Sequence, residues 1–231
     1  MSSSSESIVV YGASGFAVSI AEMLEHGFES FDFRVVAYID DFRGDRGDAI
    51  DGVPVINFDR WAAEFRALTC MITVGDPAAR RRLAARVTEA GGRVGTVCQK
   101  TGSISPRTVT GAGTLVASRV YIGPFTVMGA CTIVMPMAVL GHDIVLGDCV
   151  TICSSASIAG HVVIEDDVFV GAGAVIVNGT PDRPVRIGRG THVAAGAVVT
   201  KSLPADSRVF GNPARDIRRV AGDRLAARRR G

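Results

Sequence analysis

A left-handed parallel β-helix of hexapeptide repeats, preceded by an N-terminal α/β Rossmann-like parallel sheet, is the fold class that this sequence predicts. Two observations predict it. Aliphatic residues recur every six positions from Ile104 to Ile176. Before them, short apolar runs alternate with helix-like stretches, which is the pattern of a parallel sheet.

The chain opens on a polar stretch, and residues 1–7 are expected to form a disordered tail. Ile8-Val9-Val10-Tyr11 reads as a buried strand, Gly12-Ala13-Ser14-Gly15 as the turn after it, and Phe16 to about Glu25 as a helix that His26 ends. A second strand, Arg34 to Ile39, runs into Asp40-Asp41. A third, Leu68 to Val74, runs into Gly75-Asp76, and Pro77 suits the first turn of the helix that follows, which carries Arg80, Arg81 and Arg82. Ligands of open parallel sheets sit beyond the carboxyl ends of the strands. Three places follow: the Gly12–Phe16 turn, where glycines let a backbone approach phosphate at a helix N-terminus; Asp40 and Asp41, which could accept hydrogen bonds from ribose hydroxyls; and Gly75. The Gly-x-x-Gly turn lacks the full dinucleotide fingerprint, so the same residues also suit a plain connection.

The repeat begins at Ile104 and continues through Thr110, Val116, Ile122, Met128, Val134, Leu140, Leu146, Ile152, Ile158, Ile164, Val170 and Ile176. Only Thr110 breaks the aliphatic rule. A helix repeats every 3.6 residues and a strand every two; six belongs to stacked coils of three short sides each. The aliphatic residue points into the prism, and the small residue that often follows it (Gly111, Gly123, Gly129, Gly141, Gly147, Gly171) keeps the corner tight. After Ile176 the next beats are Ile187, Val193 and Val199, so the register slips across Asn178-Gly179-Thr180-Pro181-Asp182-Arg183-Pro184, a run of turn formers read as a loop pushed out of the prism. The expected organisation is an α/β domain over residues 8–100, a β-helix over 101–220 and a basic C-terminal tail over 221–231.

The 231 residues carry a net charge of only +2, which gives no electrostatic case for nucleic acid. No apolar stretch is long enough to insert into a membrane. The five cysteines include no Cys-x-x-Cys pair and fit reduced thiols in a cytoplasmic protein. Of four histidines, His142 stands out: in Leu140-Gly141-His142-Asp143 the inward Leu140 places the imidazole just past a corner, beside a carboxylate, as a general base requires. His161 and His192 lie 19 and 50 residues further on. With no closely spaced histidine pair and no cysteine pair at ligand spacing, no metal is expected.

Taken in order, Tyr11-Gly12-Ala13-Ser14-Gly15, Tyr38-Ile39-Asp40-Asp41-Phe42-Arg43-Gly44, Thr73-Val74-Gly75-Asp76, hexapeptide repeats containing Gly141-His142-Asp143, and a closing Gly211-Asn212-Pro213-Ala214-Arg215 resemble the nucleotide-sugar N-acetyltransferases of the NeuD-like (sialic-acid O-acetyltransferase-like) hexapeptide family. Within it the bacillosamine-pathway and GDP-perosamine N-acetyltransferases are the most similar groups. The resemblance covers roughly residues 8–220. It implies acetyl transfer from acetyl-CoA to the amino group of a 4-amino-4,6-dideoxy nucleotide sugar, with His142 as base and Asp143 supporting it. It implies nucleotide-sugar contacts at Ser14, Gly15, Phe16, Asp40, Asp41 and Gly75, acetyl-CoA contacts at Gly160, Ala172 and Ala195, and a homotrimer with sites between subunits. Where many relatives carry a histidine in the first loop, this chain has Phe16-Ala17. A sugar O-acetyltransferase and a non-catalytic nucleotide-sugar-binding or scaffold protein are the alternatives.

Overall fold

In a computed structural model, residues 5–26, 33–98 and 103–220 are described. The first strand, β1 (Glu6–Tyr11), starts two residues before the expected domain boundary at residue 8. Residues 1–4 and the basic segment 221–231 lie outside the described residues.

The α/β domain is a six-stranded sheet in the order β3-β4-β2-β1-β5-β6, with β2 (Phe33–Ile39), β3 (Ala49–Ile50), β4 (Val53–Ile56), β5 (Thr69–Ile72) and β6 (Arg93–Val94). All neighbours are parallel except β3 and β4. β1 is central, and Ile8, Val9 and Val10 are fully buried, as an unbroken apolar run in a two-sided parallel sheet should be. Helix α1 (Gly15–His26) buries Ala17, Ile20, Ala21 and Leu24, one face at helical spacing. Helix α3 (Pro77–Glu89) is capped by Asp76, whose Oδ1 accepts from Ala79 N at 2.6 Å, with Pro77 in its first turn. Two features extend the expected pattern. Asp51-Gly52, both at positive φ, turn β3 into β4 as a tight hairpin. A short α2 (Phe58–Arg60), capped by Asn57, runs on as a π-turn through Trp61–Phe65 and buries Trp61.

The prism takes over at β7 (Val97–Cys98), which pairs with Leu115–Val116. The β-helix thus starts a few residues before the expected boundary at 100/101. Up to the expelled loop strand partners are 18 residues apart: Leu115 opposite Ile133, Tyr121 opposite Val139, Val127 opposite Val145; across the loop the separation grows to 23, as for Phe169 opposite His192. Three sheets of two- or three-residue strands form the three faces. From Val116 to Ile176 every sixth residue is buried, and so is the residue four positions after each, from Val120 to Ala174, with threonines such as Thr126 and Thr132 among them. From Arg119 to Asp167 each turn is made by a residue in the left-handed region: Arg119, Phe125, Cys131, Met137, Asp143, Cys149, Ser155, His161 and Asp167, with φ between 53° and 63°. Coils approach so closely at the small position that a Cβ on Gly123 would stand 1.9 Å from the Gly141 carbonyl oxygen. The segment from Asn178 to Pro184 lies between the strands Val175–Ile176 and Val185–Ile187, outside the ladder, as the slipped register implies.

The two domains are joined by α3 and by a shared core. Outward residues Leu115 and Ile133 of one prism face cluster with Ala13, Ala17 and Ile20 of the α/β domain. Beside them Arg80 is fully buried. Its guanidinium donates to the carbonyls of Cys131 (2.7 Å) and Cys149 (2.7 Å) on two successive coils, to Val150 O, to Thr151 Oγ1 (2.9 Å), and back to Val74 O (2.8 Å). Burial pulls its pKa down to about 10, still far above neutrality, so the group remains charged, with carbonyls and one hydroxyl as its hydrogen-bond partners. The next residue, Arg81, pairs with Asp148, Asp166 and Asp167. No helix among the described residues is long and apolar enough to cross a membrane.

Replacing Arg80 by Met keeps the side chain's length and strands several buried carbonyls. Each unmet buried polar group costs about 1–3 kcal/mol. Arg80→Met should therefore lower the unfolding midpoint by several degrees in calorimetry and increase amide exchange along α3. An unchanged midpoint and exchange pattern would remove Arg80 as the clamp between the domains.

Candidate active site

The prism has three edges. One, built from Cys131, Cys149 and Asp167, receives α3. The second carries Arg119, Met137 and Ser155. The third carries Phe125, Asp143 and His161. The α/β domain packs on the face between the first and second edges, so the third edge lies on the far side of the prism.

His142 stands on that third edge. Its Nδ1 is 2.7 Å from Asp143 Oδ2, and both side chains are about half exposed. A carboxylate only accepts, so Nδ1 donates and Nε2 keeps its lone pair in the neutral ring. The ring lies across the bare α-carbon of Gly160, one coil on: a Cβ there would stand 2.6 Å from both Cε1 and Nε2 of His142 and 2.9 Å from Asn178 Oδ1. The His161 ring meets that of His142 edge-on, centroids 5.0 Å apart. The loop that the register expels begins here, with Gly179 N donating to Gly160 O at 3.0 Å, so it flanks the imidazole.

The ground on which a metal is set aside in the sequence needs correction. A separation of 19 residues is one coil plus one residue, so His142 and His161 are neighbours, and with Asp143 they offer ligand atoms all within 4.8 Å of one another. These three are the group among the described residues that could hold an ion. With Nδ1 of His142 given to Asp143, the arrangement equally leaves Nε2 facing outward for proton transfer.

Of the residues expected to line the acetyl-CoA site, Gly160 is beside His142. Ala172 and Ala195 are exposed and stacked on the second edge, where Gly196 N donates to Ala172 O at 2.9 Å. Within one chain a whole prism face, carrying Ser157–Ile158 and Val175–Ile176, separates them from Gly160.

The strand ends of the α/β domain are on the other side of the molecule. Ser14 and Gly15 are exposed at the start of α1. Phe16 is partly buried, and its ring covers Gly75, whose carbonyl accepts from Thr151 Oγ1 at 3.1 Å. Phe16 is thus a packing residue between turn and prism. The two aspartates are committed internally. Asp40 Oδ1 accepts from the N–H groups of Phe42 (3.0 Å) and Arg43 (3.1 Å). Asp41 Oδ1 accepts from Phe58 N at 3.0 Å, and its Oδ2 is bound by Arg86. Arg86 also donates to Tyr11 Oη at 2.8 Å and lies 3.8 Å over the Phe58 ring. Burial, and then the Asp41 charge, push the Tyr11 phenol up to about 12, so it stays a donor. Asp41 thus also helps to build the strand end.

The closeness of His161 and Asn178 to His142 follows from the 18-residue pitch and from the place of the expelled loop. Arg43 has no such local signal: its guanidinium bridges Asp48 (3.0 Å) and Ala13 O (2.7 Å), tying the end of β2 to the turn after β1.

Comparison with known proteins agrees with this architecture. A family profile for the PglD N-terminal domain matches residues 7–87, and one for the hexapeptide repeat of succinyl-transferase matches residues 161–201. The structure is similar to WeeI from Acinetobacter baumannii AYE, with 33% identity and a TM-score of 0.76 over 91% of this chain and 99% of that one. It is also similar to PerB from Caulobacter crescentus, solved in complex with CoA and GDP-perosamine, with 28% identity and a TM-score of 0.79 over 91% and 96% of the two chains. A 2,3,4,5-tetrahydropyridine-2,6-dicarboxylate N-acetyltransferase of Staphylococcus aureus is 46% identical over 52 residues, which is 22% of this chain and 20% of that protein, so only a fifth of the curated relative's length is matched. With the α/β domain, the repeat and near-complete coverage of a relative at one-third identity all in agreement, the chain belongs to the NeuD-like hexapeptide family of nucleotide-sugar N-acetyltransferases.

Proposed function

We propose that this protein transfers the acetyl group of acetyl-CoA to the amino group of a 4-amino-4,6-dideoxy nucleotide sugar, in the cytoplasm, with His142 as the general base. The observation that carries this reading is the His142–Asp143 pair, with Nε2 presented over Gly160 at an edge of the prism. Two findings from relatives support the substrates. PerB has been solved with CoA and GDP-perosamine together, and variants of that enzyme with one histidine replaced by asparagine or alanine have been solved with the same two molecules bound.

In the proposed reaction the sugar amine attacks the thioester carbonyl carbon and its proton passes to Nε2 of His142. Asp143 holds the ring in the tautomer that can accept it and offsets the imidazolium charge. A backbone N–H at the edge near Gly160 stabilises the oxyanion. The C–S bond then breaks, and the departing thiolate takes the proton from His142. No acyl-enzyme is required. Burial pushes the Cys153 thiol up to about 11, far from a nucleophile's range.

The nucleotide sugar is assigned to the strand ends around Ser14, Gly15 and Gly75, and acetyl-CoA to Gly160, Ala172 and Ala195. Since these groups lie on different sides of one chain, the reading requires copies to share the site, as a homotrimer. Exposed apolar ladders support this. Tyr121, Val139 and Val175 line one uncovered face, and Val109, Val127 and Val145 line the other. Both faces border the edge that carries His142.

The direct test supplies acetyl-CoA with UDP-, GDP- or dTDP-linked 4-amino-4,6-dideoxy sugars and follows free thiol. CoA release with at least one is expected; turnover only with hydroxyl acceptors would refute amine transfer. His142→Asn should lower kcat by about 10²–10⁴-fold, the usual worth of a general base, with the KM for acetyl-CoA little changed. His161→Asn should cost much less. Gly160→Ala should also lower kcat, because the new methyl group occupies the place of the imidazole; wild-type turnover would mean that the ring position is unimportant. Light scattering should give three times the 24.2 kDa chain mass, and Val139→Asp should reduce mass and activity together. A stable, active monomer would contradict the shared site.

A further inference from the structure

The turn that follows β2 has an unusual division of labour. Nearly every polar group in it is used. Asp40 N donates to Ile56 O at 2.9 Å, Asp40 O accepts from Gly44 N at 2.7 Å, and Asp40 Oδ1 holds the next two N–H groups. Asp41 is locked to Phe58 and Arg86, and Arg43 to Asp48 and Ala13. What this rigid frame leaves over is Phe42, which is 86% exposed. Among the described residues it is the large apolar side chain most open to solvent. The next, Val109 at 59%, and the others so exposed belong to the prism or the segment after it, so Phe42 stands alone in the α/β domain. A ring held in water on a fully bonded turn has no packing role in the chain itself.

Its position says what it fits. β2 and β1 are parallel neighbours, and Ile39 and Tyr11 end them side by side. The crevice beyond such paired strand ends is where open parallel sheets take ligands. Arg43 fastens the Phe42 turn to Ala13 in the turn after β1, so the two walls of that crevice are one body.

We propose that Phe42 is a stacking platform for the base of a nucleoside diphosphate, held in place by Asp40 and Arg43 as positioning residues. This rests on the reading that the α/β domain holds a nucleotide sugar, and it changes how the nucleotide is recognised there. Asp41 is spent on Arg86, so the end of β2 offers a flat apolar face where a charged acceptor was expected. Every base has a π-face, so such a platform supplies affinity with little choice among bases.

Calorimetric titration of wild type and Phe42→Ala with UDP, GDP and dTDP tests it. Wild type should bind at least one of them, and Phe42→Ala should weaken every nucleotide that binds by about tenfold or more, the scale of a lost aromatic stack. The affinity for acetyl-CoA should not change. In Phe42→Trp nucleotide binding should persist and quench the new fluorescence above the background of buried Trp61, the chain's one native tryptophan. Because Phe42 is exposed, neither substitution threatens folding. Equal nucleotide affinity in wild type and Phe42→Ala overturns the platform and leaves the transferase reading intact. A loss of oligomeric mass in Phe42→Ala with unchanged nucleotide affinity overturns it in favour of a protein contact. Failure of wild type to bind any of the three nucleotides sinks both readings.

Discussion

The closure of a coil after 18 residues, kept from Val97 up to the expelled loop, is the constraint from which most of this molecule follows. It demands a left-handed residue at every corner, a conformation that costs a non-glycine residue about 1–2 kcal/mol. The chain meets that demand repeatedly with residues as large as Phe125 and Met137. What offsets the cost is the stack: buried aliphatic side chains sit directly over one another and the strands between the two ends of the prism are bonded above and below, so each coil is stabilised by its neighbours rather than by itself. The same closure turns sequence distance into spatial contact in steps of 18. It lays His142 over Gly160, sets His161 against His142, and aligns the Cys131 and Cys149 carbonyls at one edge. Function at the edges is therefore written in the pitch.

Arg80 uses that alignment. The carbonyls of two successive coils point at one spot, and only a planar fork with several donors meets both while reaching Thr151 and Val74. A lysine would present a single point of charge there. The contact fixes where the strand ends of the α/β sheet lie against the prism, because β5 leads through Gly75 straight into α3, and Gly75 itself is bonded to Thr151. Position, not stability alone, is what the buried arginine supplies.

The periodic parts of the fold were legible in the sequence, and the reason is that they are local rules repeated. The six-residue beat gave the prism, the slip after Ile176 gave the expelled loop, and alternating apolar runs gave β1, β2, β5, α1 and α3. The β3–β4 hairpin was also written locally, in Asp51-Gly52, and was overlooked because its strands are only two and four residues long. The start of the prism at Val97 was hidden because its first strand falls before the first clear beat. Side-chain partnerships were a different matter. Asp41 is held by Arg86, 45 residues away, a partnership that no local pattern signals. His142 is legible from its corner and its neighbouring carboxylate, whereas its contact with His161 shows only when the 19-residue spacing is counted around the coil.

The arrangement of faces leads one step further. One face of the prism is covered by the α/β domain through Leu115 and Ile133. On the other two, most of the equivalent outward positions are valines and Tyr121, open to solvent, with Ser157 between Val139 and Val175. Exposed apolar ladders of this kind call for a partner surface. These two faces meet at the edge of Phe125, Asp143 and His161, so whatever covers them encloses His142. In the proposed trimer, the contact that buries the ladders would therefore also narrow the solvent around the base and bring a second chain to it. A closed site of that kind strengthens the His142–Asp143 interaction, since charge is screened less where water is excluded. On this reading assembly and catalysis are not separate properties added to the prism. Both follow from placing the reactive pair at the junction of its two uncovered faces, at the greatest remove from the domain that Arg80 holds in place.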